Sequence, residues 1–213
     1  MLAAKSSEWR SLEYQLESGG VSGASELGRF VNDTTYLAPS RFDERAAMPI
    51  LLAALPHLQD SSLVAAVGAH LNRAWARPAA YQAVYDAFVH WAPIADDAGW
   101  QLGDCLGTVA ERENLKQLTD LVLSKKFGIS RQMIVLSLWR FRSAPETAAV
   151  LRQLARDDQV ALQAISALKR TVPREELQTE LQSLIDSDVT PHVRGIAAKQ
   201  LRLLAMLDTK RLR

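Results

Sequence analysis

Apolar residues recur along this chain at steps of three and four, the period of one helix face. Trp9, Leu12 and Leu16 make the first stripe, which Gly19 and Gly20 close. Residues 19–43 keep no period apart from a short helix predicted near Ser25–Val31. Regularity then sets in. Pro49 is placed to open a helix carrying Ile50, Leu51, Leu52 and Leu55, and Ser61 or Ser62 to cap one carrying Leu63, Val67, Leu71 and Trp75. Pro78 opens a stretch with Tyr81, Val84, Tyr85, Phe88 and Trp91 on one face, and a fourth runs from about Asp96 to Ala110.

The second half repeats the scheme. Leu115, Leu118, Val122 and Leu123 lead to Lys125 and Lys126, with Gly128 as the residue past the helix end. Ser130 is the expected cap of the next helix, and Ser143-Ala144-Pro145-Glu146 has capping-box spacing. Asp157 or Asp158 caps another, Pro173 opens one, and Thr190-Pro191 opens the last. The fold class that follows is all-α: about ten helices in five antiparallel pairs over residues 46–206, stacked as a right-handed α-solenoid because the turns are very short. Residues 1–45 read as an N-terminal helix and irregular cap, residues 207–213 as a tail.

The second helix of each pair carries one main apolar anchor: Leu71, Leu106, Leu138, Leu168 and Leu201, spaced 35, 32, 30 and 33 residues apart. Small and apolar residues recur three and four places before the last three anchors, as stacking of neighbouring pairs requires. Asp188-Val189-Thr190-Pro191-His192-Val193-Arg194-Gly195-Ile196-Ala197-Ala198-Lys199-Gln200-Leu201 resembles the second-helix motif of bacterial HEAT repeats, including those called phycobilisome-lyase-like. The resemblance implies HEAT-like pairs and a ladder of Asp and Arg along the array, here Asp188 with Arg194. Arg131 keeps the arginine but has Lys125 where the aspartate belongs, and Ala161 has lost the arginine. A bilin lyase activity rests on the family name alone.

Composition narrows the chemistry. Of 213 residues 48% are hydrophobic and 23% charged, the balance of an ordinary folded chain, with no apolar run of membrane-spanning length. The N-terminus lacks the apolar segment of a secretory signal, so the expected location is cytoplasmic and no membrane partner is expected. Cys105 is the only cysteine, read as a small buried hydrophobe. His57, His70, His90 and His192 show no zinc-ligand spacing, and no phosphate loop or nucleophile elbow is present. No catalytic residue, metal or cofactor is therefore assigned. Asp96-Asp97 and Asp157-Asp158 read as helix caps.

Net charge is +1, unevenly distributed: residues 1–120 carry 9 basic against 15 acidic residues, residues 121–213 carry 16 against 9. Just past the anchors come Arg73, Trp139, Arg140, Lys169, Arg170 and Arg202, with Lys199 three residues before Arg202. If second helices line a concave face, these residues form a basic strip; the competing reading is a solvated face of local ion pairs. The function expected from the strip is a non-enzymatic scaffold that binds a protein partner, acidic in character, as an adaptor or inhibitor. The rival is a nucleic-acid binder using the same groove, related to DNA repair by fold-level likeness to HEAT-like DNA glycosylases, with no catalytic residue to match.

Overall fold

Every strong apolar stripe of the sequence is a helix in the computed structural model, which describes residues 6–28 and 41–211, the side chains of 207–211 excepted. Among the described residues there are eleven α-helices and no strand. The chain divides into two compact units, Met1–Glu113 with Lys126–Ser130, and Asn114–Lys125 with Arg131–Arg213.

The first unit holds α1 (Ser7–Ser18), α2 (Glu44–Ala54), α3 (Ser61–Leu71), α4 (Tyr81–Trp91) and α5 (Asp96–Val109). Trp9, Leu12 and Leu16 bury the stripe of α1, which packs against α2. Its N-terminal end is tied to the turn before α3: Ser6 donates to Asp60 at 2.8 Å, and the Glu8 carboxylate accepts from the Gln59 and Asp60 amides. Helices α3 and α5 form the main contact of the unit, and α4 packs on α5. Gly99 permits a close crossing there. A Cβ at this position would lie 2.3 Å from Ser130 Oγ and 2.7 Å from Ala92 Cα, distances that no real contact tolerates.

The second unit holds α6 (Leu115–Leu123), α7 (Gln132–Ser137), α8 (Pro145–Leu154), α9 (Ala161–Leu168), α10 (Arg174–Asp186) and α11 (Pro191–Arg211). Each consecutive pair packs together, and α9 packs on both α7 and α11. Polar links join successive pairs. Arg152 pairs with Glu180 at 2.6 Å and with Glu176, Arg156 donates to Ser187 at 3.1 Å, and Thr190 donates to Asp158. The deepest link is Arg131, whose side chain is wholly buried. It donates to the Val122 carbonyl at 2.9 Å and to Gln159 Oε1 at 2.9 Å, and lies 3.1 Å from Asp157 Oδ2.

Several local expectations need correction. Helix α2 starts at Glu44, capped by Asp43, so Pro49 sits inside it and leaves one carbonyl without its usual amide donor. Asp60, with two acceptor oxygens, outcompetes Ser61 and Ser62 as the cap of α3. Helix α3 ends at Leu71, so Trp75 falls in a short 3-10 turn, under the guanidinium of Arg45. Ser130 spends its hydroxyl on the Ala92 carbonyl, and Gly128 (φ 49°) lies in a 3-10 segment five residues beyond α6. Neither Ser143 nor the Asp157-Asp158 pair caps a helix; both aspartates serve links between pairs instead. Asp96 and Asp97 lie in the first turn of α5, which has no side-chain cap. The expected Asp188–Arg194 pair is not made: both are exposed, and Arg194 donates to the Ser187 and Val189 carbonyls. The 3-10 turn Ala24–Glu26 marks the start of the helix expected near residue 25, and residues 29–31 lie outside the described residues.

Two outcomes follow. Arg131→Ala leaves the Asp157 carboxylate and the Val122 carbonyl without their partner, and is expected to cost about 3–5 kcal/mol in chemical denaturation; a loss under about 1 kcal/mol contradicts this assignment. Gly99→Ala forces Ser130 and the Ala92 backbone apart and is expected to cost about 1–3 kcal/mol, read as a lower thermal midpoint.

Candidate functional site

Helix α7 tightens after one and a half turns. Ser137 donates back to the Ile134 carbonyl at 2.7 Å, and residues Leu138–Phe141 continue as 3-10 helix. Three residues per turn put Leu138 and Phe141 on the same side, and both are buried. Trp139 and Arg140 are thereby turned to the half-buried margin, with Arg142 exposed beyond them. Helix α9, packed against α7, ends at Leu168 and presents Lys169 and Arg170, both exposed, at its C-terminus.

These two helix ends meet at Trp139. The guanidinium carbon of Arg170 lies 4.9 Å from the ring centroid of Trp139 and that of Arg142 5.8 Å from it. Arg140 lies 5.4 Å from the Phe141 centroid. Each such contact contributes about 0.5–1 kcal/mol at an exposed site. The helix C-termini add a favourable field for cations, since their free carbonyls carry partial negative charge. Arg142, Lys169 and Arg170 have no carboxylate partner among the described residues. The second unit carries 16 basic against 10 acidic residues, a net +6, and the first 9 against 14, a net −5.

The remaining residues of the expected strip are placed differently. Lys199 and Arg202 are exposed on α11. Arg73 belongs to the first unit and is committed there: it donates to the Glu44 carboxylate and to the Ala69 and Asn72 carbonyls. Arg131 is a buried structural link. Arg142 escaped the sequence reading because it stands four places past its anchor, where the 3-10 turn shifts the register. Trp100, on α5 of the first unit, is 39% exposed.

A buried histidine and a half-buried aspartate of the first unit serve packing. His70 is buried against Phe42, with Nε2 donating to the Leu27 carbonyl at 2.9 Å and Nδ1 3.3 Å from Glu44. Burial holds its pKa below the ordinary value, against the pull of the carbonyl and the carboxylate. Asp104 is pushed up by burial, partly offset by a 2.6 Å bond from Asn72. Burial and the neighbouring Asp104 push the Cys105 thiol far up, so it is not a nucleophile at neutral pH. Among the described residues no group of three or more His, Cys, Asp or Glu is placed to hold a metal ion, and no helix is long and apolar enough to cross a membrane. Comparison with models of protein families, with curated proteins and with solved structures gave no match.

The Asp104 environment has a measurable sign. Its folded-state pKa stands above the unfolded one, so ionisation at neutral pH favours unfolding, and the penalty fades as the pH falls through the aspartate range. Asp104→Asn, which keeps an acceptor for Asn72, is therefore expected to raise the thermal midpoint at pH 7 and to leave it nearly unchanged at pH 3.5. An equal drop at both pH values contradicts the burial argument.

Proposed function

We propose that this chain is a non-enzymatic helical-repeat scaffold of the HEAT-like solenoid type, which binds an acidic segment of a partner protein. The observation that carries the reading is the cationic surface around Trp139, where Arg142 and Arg170 approach one ring beside Lys169, none of the three paired with a carboxylate among the described residues. Two other arginines of the same unit are neutralised: Arg152 has two glutamates and Arg131 an aspartate. A surface that holds cations beside an aromatic ring has the composition of an interface centre, since tryptophan and arginine dominate hot spots.

The repeat reading is supported by the pairwise packing of α2 to α11 within each unit and by the contacts of α9 with both α7 and α11. In such arrays second helices line one continuous surface, which is where the Trp139 cluster and the exposed Lys199 and Arg202 would lie. A nucleic-acid ligand would use the same positive charge. It is less well matched, because the Trp139 ring is already approached by two cations of the chain itself and base stacking needs a free ring face.

Charge reversal separates this reading from a merely solvated face. Arg140→Glu with Arg170→Glu is expected to weaken binding of an Asp/Glu-rich peptide by at least about tenfold, equivalent to ~1.4 kcal/mol, while the circular dichroism spectrum stays native. Unchanged affinity in a folded double variant removes this surface from the site.

A further inference from the structure

Trp139 holds two guanidinium groups without neutralising either. Arg170 and Arg142 lie 4.9 and 5.8 Å from one ring centroid, both are exposed, and neither meets a carboxylate among the described residues. The contrast within this chain is direct. Arg73 is fixed by Glu44, and Arg152 by Glu176 and Glu180, and in each case the anion that positions the fork also cancels its charge. An aromatic ring orients a guanidinium through its face and leaves the N–H donors at the edge available.

Two like charges gathered on one ring repel each other, and in the sequence Lys169 adjoins Arg170 and Arg140 adjoins Trp139. A single carboxylate carries one negative charge and two oxygens, enough for one fork. A phosphate monoester carries about −1.5 to −2 and three terminal oxygens at neutral pH, enough to pair with two forks at once. A phosphodiester carries one charge per phosphate and brings bases that would compete with two guanidinium groups for the Trp139 ring.

Resting on the reading that the partner is a protein, we infer that the Arg142–Trp139–Arg170 cluster is a binding site for a phosphate monoester on that partner, a phosphorylated serine or threonine within an acidic stretch. Arg142 and Arg170 supply the paired forks, Trp139 positions them, and Arg140 and Lys169 supply the flanking charge for neighbouring carboxylates.

The test uses the full chain and three acidic peptides identical except for a central serine, phosphoserine or glutamate, with affinities measured by calorimetry. The phosphoserine peptide is expected to bind at least about tenfold tighter than the other two, the scale of one added charge-assisted bidentate pair. Arg142→Lys and Arg170→Lys keep the charge and lose the fork, and are expected to erase the preference for phosphoserine over serine. Trp139→Phe is expected to retain the preference in part and Trp139→Leu to lose it. Equal affinity for the three peptides overturns the phosphate assignment and leaves the acidic-partner reading standing. Failure of all three to bind, whether or not a single-stranded oligonucleotide binds, overturns both.

Discussion

The guanidinium of Arg131 is buried at the entry to α7, and its donors must be met there, because an uncompensated buried charge costs several kcal/mol. Three partners meet them: the Val122 carbonyl at the end of α6, and Gln159 and Asp157 in the turn before α9. One side chain thus fixes α6 and the turn leading into α9 to the start of α7. With the start of α9 fixed to the start of α7, their far ends come together, and those ends carry Trp139 with Arg142 and Lys169 with Arg170. The surface cluster depends on a buried one.

A second constraint keeps the cluster cationic. Arginines gathered at one place normally recruit acids, and in this unit Arg131 and Arg152 have. Around Trp139 the compensation comes from the carbonyl ends of α7 and α9 and from the ring itself, each worth a fraction of a kcal/mol to about one. That is enough to tolerate the charges without satisfying them. Because the helix ends are set by packing, Leu138, Phe141 and Leu168 inward, the cations are presented by the fold.

Reading the sequence by period located the helices from α2 to α11, because burial of one helical face leaves a strong imprint on spacing: Leu71, Leu106, Leu138 and Leu168 are each nearly inaccessible. Leu201 is half-exposed, since the strong contacts of α11 are with α9 and α10 alone. Caps were less legible. Serine and aspartate compete for the same amides, and in the second unit the aspartates of the turns before α9 were drawn to the neighbouring pairs. The six-residue spacing from aspartate to arginine falls on Lys125 before Arg131, whereas the aspartate that meets Arg131 is Asp157, in the turn before α9. Trp139, Arg140, Lys169 and Arg170 were named from their place after the anchors; Arg142 was not, because a change from α to 3-10 helix leaves no mark on a 3.6-residue period. Arg73 had the right spacing but a carboxylate, Glu44, from a distant helix.

The link from the buried arginine to the surface tryptophan is most directly tested by the proton chemical shifts of the Arg142 and Arg170 side chains, compared between the native chain and Asp157→Asn. Stacking over an indole moves such protons upfield. The account predicts upfield shifts for both arginines in the native chain and their reduction in the variant, as α9 loses its tie to α7. Side-chain shifts at ordinary solvent-exposed positions in the native chain would contradict it.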